Sequence, residues 1–374
     1  MTETPSINLN QIERDIKALW GKASQSSAID GAVSRACLSN LIIYTDDEKD
    51  QEMITATIAE FILKHPCRAI LIIAQPKNAQ SKLEANVFTH TPDIDGKRKK
   101  FSCEQITLHV SGPSVKELAS VVQPLLVPDL PVYLWWRGMF LTQKSLVQQM
   151  LPFTDRFIYD GVSWTNLQYT VPQVADYIEK YKESVGFTNF NWSRLRPWRE
   201  YAADFFDSGM FQNEVWDINR VRVEYMALPG QEEGYQFRAL LFVAWLATQL
   251  EWEPVKGKPG VDLAQFQFTN KKEINIETEL ILIPQTSETS QSIQKVVMGI
   301  QRPDHLQEFI IQRDHKDHVI VLSYQKQGIS TILRKVPHAD SNLAELLFRE
   351  LGRRVRNRVF EKSFKMASNL IQML

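Results

Sequence analysis

The sequence predicts two domains: an α/β domain with a mixed sheet over residues 1–165, and an α+β domain with an antiparallel sheet and helices over residues 166–374. Three observations favour this division. A length of 374 residues suits about two domains. A buried strand, an amphipathic helix and a second buried strand follow each other from Leu38 to Ala74, as in a parallel crossover. Beyond residue 260, short segments alternate apolar and polar residues and are joined by polar turns, as in antiparallel sheets.

The first domain is predicted from apolar periodicity and from the residues that interrupt it. Proline disfavours helical geometry in the residue before it, so the helix after the first buried strand ends near His65. An Asp-Gly pair followed by four basic residues predicts a hairpin turn over residues 93–100. The expected elements are a helix over 8–20, strands at 38–45, 69–74, 84–91 and 104–111, a helix over 114–126, a strand at 130–137, a helix over 145–150 and a strand at 155–161.

The second domain is predicted to open with a helix over Val171–Ser184, followed by a tryptophan-rich segment. A strand over Arg220–Leu228 and a strongly apolar helix over Arg238–Trp252 come next. The successive strands of the antiparallel sheet are expected at 264–269, 273–284, 294–302, 308–314 and 318–325. One long helix or two close the chain between residues 339 and 373.

Composition narrows the classes of function. The net charge is −1, from 43 basic and 44 acidic residues, which does not favour a nucleic acid or an anionic membrane as partner. No apolar stretch reaches the roughly 18 residues of a membrane span, and the polar, acidic start of the chain is unlike a signal peptide. We therefore expect a cytoplasmic protein. The three cysteines, Cys37, Cys67 and Cys103, form no CxxC motif, which favours buried structural thiols.

Motifs of catalysis and cofactor binding are not found. The first strand–helix turn, at residues 44–51, reads YTDDEKDQ, with four acids and no glycine where a dinucleotide fold needs a phosphate loop. The cluster from Asp314 to His318 could supply imidazole and carboxylate ligands to a metal, but its position between two strands favours a charged hairpin turn. We therefore predict no catalytic residues, no cofactor and no metal.

Tryptophan and arginine, the typical anchors of protein interfaces, are concentrated in two places. Trp135, Trp136 and Arg137 end a strand whose carboxyl end is where α/β folds bind ligands. Because neighbours on a strand point to opposite faces, we expect at most one of the two tryptophans to lie in the core. The alternative for these residues is a purely architectural role.

The second concentration, over residues 192–199, contains Trp192, Arg194, Arg196, Trp198 and Arg199. Its arginines could bind a phosphorylated sugar through paired hydrogen bonds, or could stack on the tryptophans for structural reasons. We take Trp135, Trp136, Arg137, Arg194, Arg196, Trp198 and Arg199 together as partner-binding candidates.

The C-terminal helical segment is locally basic and carries an apolar stripe that includes Leu346, Leu347 and Leu351. A packed helix with a solvated basic face, an acidic protein partner and nucleic acid are the three interpretations. Nucleic acid is the weakest, because the segment lacks interleaved aromatic residues and the features of a nucleic-acid-binding fold.

Several segments together resemble the OpcA family, the glucose-6-phosphate dehydrogenase assembly proteins. They lie in order along the chain at Ser34–Tyr44, His65–Ile72 (HPCRAILI), Val127–Gly138 (VPDLPVYLWWRG), Asn191–Glu200 (NWSRLRPWRE) and Leu240–Trp252 (LLFVAWLATQLEW). The resemblance implies a non-catalytic partner that binds glucose-6-phosphate dehydrogenase, assists its assembly into the active oligomer and raises its activity in the oxidative pentose phosphate pathway, which supplies NADPH. A sugar-phosphate-binding protein that uses residues 192–199 is the alternative.

One feature departs from the family pattern. The resemblance implies that some members, notably cyanobacterial ones, are redox-regulated through a cysteine pair near the C-terminus. This chain has no cysteine beyond Cys103. We therefore expect no thiol switch of that type.

Overall fold

The computed structural model describes residues 14, 34, 35, 37–90, 101–207, 209, 211–260, 262–284, 292–351 and 356–374. The predicted helix over 8–20 and the predicted turn over 93–100 therefore lie outside the described residues, apart from Arg14, which is helical. The described chain forms two compact units. Unit 1 contains residues 1–160, 181–188 and 342–356, and unit 2 contains residues 161–180, 189–341 and 357–374.

The sequence analysis placed a single domain boundary after residue 165. The two units are not divided at a single position, because two later segments, Tyr181–Thr188 and Asn342–Arg356, belong to unit 1. The described strands are β1 (Ser34–Arg35), β2 (Asn40–Thr45), β3 (Arg68–Gln75), β4 (Lys82–His90), β5 (Phe101–Ser111), β6 (Val132–Trp136), β7 (Arg156–Tyr159), β8 (Gly186–Asn189), β9 (Arg220–Tyr225), β10 (Glu253–Lys258), β11 (Leu263–Thr269), β12 (Asn275–Leu282), β13 (Ile293–Gln301), β14 (Leu306–Asp314), β15 (Val319–Lys326) and β16 (Ile329–Pro337).

The α-helices of the described residues, apart from the residues around Arg14, are α1 (Asp50–Lys64), α2 (Leu118–Val122), α3 (Lys144–Met150), α4 (Leu167–Tyr181), α5 (Phe190–Arg194), α6 (Arg196–Asp207), α7 (Glu232–Gln249), α8 (Leu343–Leu351) and α9 (Arg358–Gln372). None of these helices has the length and apolar character needed to cross a bilayer. The predicted helix over 114–126 is instead a 3₁₀ turn at Gly112–Glu117, the short α2 and a second 3₁₀ turn at Gln123–Leu125. Proline occupies one of the first two positions of each 3₁₀ turn, where its missing N–H costs little.

The sheet of unit 1 has the strand order β1-β5-β3-β2-β6-β7-β8, with β4 also paired to β5. The predicted crossover is confirmed, since β2 and β3 are parallel and α1 connects them. Strands β5, β6 and β7 join the sheet in parallel, and β4 is antiparallel to β5, which makes the sheet mixed as predicted. Every residue of β2 and β6 is buried. This near-continuous burial is typical of a parallel sheet covered on both faces.

Helix α8 supplies part of the core of unit 1, although it comes late in the chain. The hydroxyl of Tyr133 on β6 donates to the backbone carbonyl of Leu351 at 2.8 Å. Arg156 on β7 and Glu350 on α8 lie 3.8 Å apart, and each side chain is only 3% exposed. The side-chain amide of Asn342, just before α8, donates to Glu60 of α1 at 2.9 Å.

The sheet of unit 2 has the order β10-β11-β12-β9-β13-β14-β15-β16. The expectation of a purely antiparallel sheet is corrected at one position, because β9 and β12 are parallel. Between these strands the chain forms α7 and the β10–β11 hairpin, which provides the long connection that parallel neighbours require. Helix α9 packs against α7, with the rings of Phe364 and Phe237 5.5 Å apart.

The C-terminal prediction of one helix or two resolves into α8 and α9 within the described residues. Leu346, Leu347 and Leu351 of the predicted apolar stripe are buried. Arg353 and Arg354 of the basic face lie outside the described residues.

Candidate functional site

The strand order of unit 1 reverses between β2 and β6, and this position is where doubly wound folds bind ligands. From β2 the chain proceeds outward to β3 and β5 on one side, and β6, β7 and β8 follow on the other side. Ligands of open α/β sheets bind at the carboxyl ends of the strands at such a reversal. We therefore describe the residues that follow β2 and β6, and refer to their location as the switch crevice.

The loop between β2 and α1 uses its own backbone donors. The N–H of Asp47 donates to the hydroxyl of Thr45 at 3.1 Å, and the N–H of Lys49 donates to the carboxylate of Asp47 at 3.0 Å. The N–H groups of Asp50 and Gln51 donate to the carbonyls of Asp47 and Glu48, both at 3.1 Å. A phosphate at a helix N-terminus needs these N–H groups, so this loop is not a phosphate cradle.

Carboxylates add a charge barrier in the switch crevice. Burial, followed by the nearby charges of Asp47 and Asp50, raises the pKa of Asp46. Asp50 and Glu52 lie in the first turn of α1, where carboxylates are stabilised by the helix dipole. A negatively charged nucleotide would meet like charge at the position where it would need positive charge.

Arg137, which follows β6, is held by the first residue of α1, Asp50. Its Nε and Nη2 donate to the two carboxylate oxygens of Asp50 at 2.7 and 2.8 Å. The next residue, Gly138, has a φ of +85°, and a Cβ added there would lie 3.0 Å from a carboxylate oxygen of Asp46. The switch crevice thus contains an ion pair and a close backbone approach that both belong to the chain.

The two tryptophans of β6 are core residues. Trp135 is 0% exposed and Trp136 is 1% exposed. Trp136 stacks on Tyr44 of β2 with ring centroids 3.8 Å apart, and the guanidinium of Arg137 lies 5.6 Å from the ring of Trp135. The expectation that at most one tryptophan is buried is wrong, because the sheet is covered on both faces and opposite-pointing neighbours both reach the interior.

The tryptophan–arginine segment of residues 192–199 does not form a single site. Arg199 stacks on Trp192 at 3.4 Å from the ring centroid and donates to its backbone carbonyl at 2.9 Å. Trp198 is buried, whereas Arg196 is exposed and pairs with Glu200 at 2.7 Å one turn along α6. Stacking of arginine on tryptophan, the structural alternative, is thereby observed for one pair of the segment.

Arg194, at the end of α5, is separated from these contacts and lines a cavity of about 300 Å³ within unit 2. The same cavity contains Arg238 of α7, which the sequence analysis did not select. Its signal in the sequence is a charged residue at the start of the apolar run ALLFVAWLA, yet it is only 4% exposed. A charged side chain is almost never buried unless it is paired, and the Nε of Arg238 donates to the side-chain oxygen of Asn191 at 2.9 Å.

The segment from Asp314 to His318 is the predicted hairpin turn, since β14 ends at Asp314 and β15 begins at Val319. The N–H of Lys316 donates to the Asp314 carboxylate at 3.0 Å, as is usual in turns. Among the described residues, no group of three or more His, Cys, Asp or Glu side chains is arranged to hold a metal ion.

The fold and the switch crevice define a class of protein. It is a two-unit α/β protein with the strand order of a dinucleotide-binding fold, in which the chain's own charged side chains occupy the crevice. Two family models match the chain over most of its length. One, described as the glucose-6-phosphate dehydrogenase subunit N-terminal domain, matches residues 59–176, and the other, described as the corresponding C-terminal domain, matches residues 185–364. The chain belongs to the OpcA family.

Curated relatives agree with this family. The chain is 29% identical over 224 residues to OpcA of Synechocystis sp., named as an OxPP cycle protein, covering 59% of this chain and 45% of the relative. It is 26% identical over 230 residues to OpcA of Nostoc punctiforme, covering 60% of this chain and 47% of that protein. The matched region thus spans about half the length of these relatives.

Among solved structures, the chain is similar to the UDP-N-acetylglucosamine 3-dehydrogenase GnnA from Acidithiobacillus ferrooxidans. The TM-score is 0.49 at 10% identity, over 91% of this chain and 98% of that chain. A likeness at this score carries no functional inference.

Proposed function

We propose that this protein is a non-catalytic partner that binds glucose-6-phosphate dehydrogenase, promotes its assembly into the active oligomer and raises its activity. The observation that carries the proposal is the match of both family models, described as domains of a glucose-6-phosphate dehydrogenase subunit, to residues 59–176 and 185–364. The setting proposed is the cytoplasm, at the entry of the oxidative pentose phosphate pathway.

The switch crevice supports a role without nucleotide chemistry in unit 1. The N–H groups of Asp47, Lys49, Asp50 and Gln51 are used within the loop, and Arg137 is engaged by Asp50. A dinucleotide would have to displace these contacts and overcome the repulsion of four acids in residues 46–50. The proposed role therefore does not depend on a nucleotide bound in this crevice.

Activation by a partner has a simple thermodynamic requirement. The partner must bind the active form of the dehydrogenase more tightly than the inactive form. A coupling of about 1–3 kcal/mol corresponds to a change of roughly 5-fold to 150-fold in the binding equilibrium. Contacts that the partner makes only with the active form would supply such a coupling.

Exposure separates the proposed partner-binding residues into two groups. Arg196 is exposed, and Arg137, Arg194 and Arg199 are partly exposed, so their guanidinium groups are the candidates for direct contact. Trp135, Trp136 and Trp198 are buried, and we propose that they contribute by holding the surrounding surface in shape.

The test is co-elution and activation. The chain is mixed with glucose-6-phosphate dehydrogenase of the same organism, analysed by size-exclusion chromatography with light scattering, and assayed for NADPH formation with and without reductant. We expect a complex larger than the dehydrogenase alone and a higher rate, both unaffected by reductant. An equal concentration of serum albumin is the control for non-specific protection. If the mixture showed no complex and no activation, the proposal would be refuted.

Substitution Arg196→Ala in the same assay examines the exposed candidate. Because the ion pair of Arg196 with Glu200 is exposed at the surface, loss of Arg196 should leave stability nearly unchanged. A lower affinity for the dehydrogenase would place α6 in the interface. An unchanged affinity would remove Arg196 from the candidates.

A further inference from the structure

The sheet of unit 2 buries one face and exposes the other. On the buried face, Phe266 and Phe309 are at most 1% exposed, and the ring of Phe309 lies 5.4 Å from that of Phe205 on α6. Their strand neighbours Gln267 and Glu308 are exposed and half-buried, respectively. Because successive residues of a strand point to opposite sides, these neighbours belong to a second face, which we call the outer face.

Strand register arranges the residues of the outer face in three rows that run across the sheet, because residues opposite each other on neighbouring strands point to the same side. The middle row includes Glu279, Arg222, Val297, Ile310 and Ile332, on β12, β9, β13, β14 and β16. The first flanking row includes Arg220, Gly299 and Glu308, and the second includes Glu224, Lys295 and Gln312.

The two flanking rows are complementary in charge when one is placed over the other. A half-turn about an axis along the middle row stacks two copies face to face and exchanges their flanking rows. Arg220 of one copy then faces Glu224 of the other. Lys295 faces Gly299 of the other copy, beside Glu308. Each flanking row thus meets opposite charge, so the outer face is complementary to a second copy of itself.

Gly299 leaves room for the lysine of a second copy. A concavity of about 260 Å³ lies over Gly299, and it is lined by two arginines and by three glutamates, Glu277, Glu279 and Glu308. The excess of carboxylates favours a cation in this concavity. Lys295, whose ammonium lies at the end of a flexible four-carbon stem, faces this position across the axis. Lysine and concavity therefore match in charge and in place.

The outer face also has the size of an interface. Eight strands about 4.8 Å apart and three rows about 7 Å apart span roughly 38 by 20 Å. Two such faces in contact would bury roughly 1,500 Å², which is the standard size of a specific protein interface. Apolar side chains at Val297, Ile310 and Ile332 add to the middle row, and Ile332 is 59% exposed. Burial of this exposed apolar surface would favour association.

We propose that two copies of this chain form a symmetric dimer through the outer face of unit 2, with Lys295 of each copy paired to Glu308 of the other. The two sheets pack about 10 Å apart with strand directions within about 30° of each other. Residues of the middle row meet their own counterparts near the axis. Arg222 is already paired with Glu279 on its own sheet at 3.1 Å, which offsets the repulsion between the two copies of Arg222. This dimer is a property of the chain alone and goes beyond the proposed binding of a dehydrogenase.

Sedimentation velocity of the full chain over a wide range of concentrations tests the proposal. We expect a particle of twice the mass of one chain, which dissociates on dilution. Lys295→Glu and Glu308→Lys should each weaken the dimer by about tenfold or more, because each places like charges opposite each other at two symmetric positions. The matched control is Lys316→Glu, since Lys316 is an exposed lysine in the turn between β14 and β15 and lies outside the three rows. Circular dichroism verifies that each variant is folded.

The variant that carries both reversals separates the proposed contact from other effects of charge. On its own sheet, Lys295 lies two rows away from Glu308, at roughly 14 Å along the backbone, so the two side chains are not paired within one copy. The double variant Lys295→Glu, Glu308→Lys should therefore recover most of the affinity that either single reversal loses.

Three results would overturn the proposal. The first is the mass of a single chain at every concentration. The second is a dimer that neither reversal weakens, and the third is a double variant no tighter than the single ones. A monomer whose binding to the dehydrogenase is lost in Lys295→Glu would assign the outer face to the dehydrogenase instead. Because the sedimentation experiment contains no dehydrogenase, its failure leaves the proposed function untouched.

Discussion

Arg137 and Asp50 are joined by two charge-assisted hydrogen bonds of 2.7 and 2.8 Å across the carboxyl edge of the first sheet. Arg137 follows β6 and Asp50 begins α1, so this pair connects the two strands between which the strand order reverses. In a dinucleotide-binding fold this position is open to the phosphates of the cofactor. Here it is a structural contact, and it is accessible to direct measurement.

Loss of one partner of this pair should destabilise unit 1. Both side chains are about one-fifth exposed, so Asp50→Asn leaves a partly desolvated guanidinium with weaker acceptors. We expect a loss of about 1–3 kcal/mol in the free energy of unfolding. Lys82→Ala, which removes an exposed pair with Glu84 in the same unit, should cost less than about 1 kcal/mol. Denaturant titration of both variants measures the difference, and equal effects would contradict the structural role of the pair.

Trp136 should contribute to stability more than to partner affinity. Trp136→Ala removes a ring that stacks on Tyr44 at 3.8 Å and leaves a cavity in the core. The expected loss is about 3–5 kcal/mol of unfolding free energy. Guanidinium titration followed by circular dichroism gives this value. A variant of unchanged stability that no longer bound the dehydrogenase would instead restore Trp136 as a direct contact.

The crossover from β2 to β3 was predictable because each part of it carries a local signal. Two buried apolar runs bound an amphipathic helix, and Pro66 ends that helix. Strands β8, β10 and β16 were not predicted, since GFTN and EPVKGK have little apolar alternation and every residue of β16 except Val336 is exposed. Their positions depend on pairing with neighbours, which no local pattern encodes.

The candidate sites show the same limit. The acids of residues 46–50 are evident in the sequence, as is the lack of glycine in that loop. The contact of Arg137 with Asp50, and the cavity shared by Arg194 and Arg238, join residues 87 and 44 positions apart, as the numbering shows. The return of α8 to unit 1 through Tyr133 and Leu351 spans 218 positions. Contacts at such separations depend on the folded topology.

The hydrogen bond between Tyr133 of β6 and Leu351 of α8 should stabilise the packing of α8 in unit 1. Tyr133→Phe removes the hydroxyl that donates to the Leu351 carbonyl and leaves that buried acceptor without this bond. We expect a loss of about 1–2 kcal/mol in the free energy of unfolding. Hydrogen exchange of residues 343–351 should also accelerate relative to α1. Equal exchange in the wild type and the variant would show that this bond does not fasten the helix.

At Gly234, helix propensity favours alanine, whereas the close approach of the Val162 carbonyl requires glycine. In an isolated helix, Gly→Ala is stabilising by about 1 kcal/mol. Here the added methyl group would overlap the Val162 carbonyl, so Gly234→Ala should destabilise unit 2 by about 1–3 kcal/mol. Gly299→Ala is the control, because its nearest contact would be an ordinary 3.4 Å. A Gly234→Ala variant more stable than the wild type would contradict the close approach.

The buried thiols predict how stability responds to alkaline pH. Burial raises the pKa of Cys103 from its ordinary value of 9.0 to about 12, and burial also raises the pKa of Cys67. Between pH 9.0 and about pH 12 the unfolded chain loses the Cys103 proton while the folded chain retains it, so the folded state binds more protons. Stability should therefore be full below about pH 9 and should fall as the pH rises toward 12.

Cys103→Ala separates this thiol from the other groups that titrate in the same range. The tyrosines Tyr44 and Tyr225 also have raised pKa values because of burial, and they remain in the variant. Denaturant midpoints measured from pH 8 to pH 11 should fall less steeply for Cys103→Ala than for the wild type. Equal slopes would mean that the Cys103 thiol ionises as readily in the folded chain as in the unfolded chain. Alkylation gives an independent check, since a buried thiol of raised pKa should react only after unfolding.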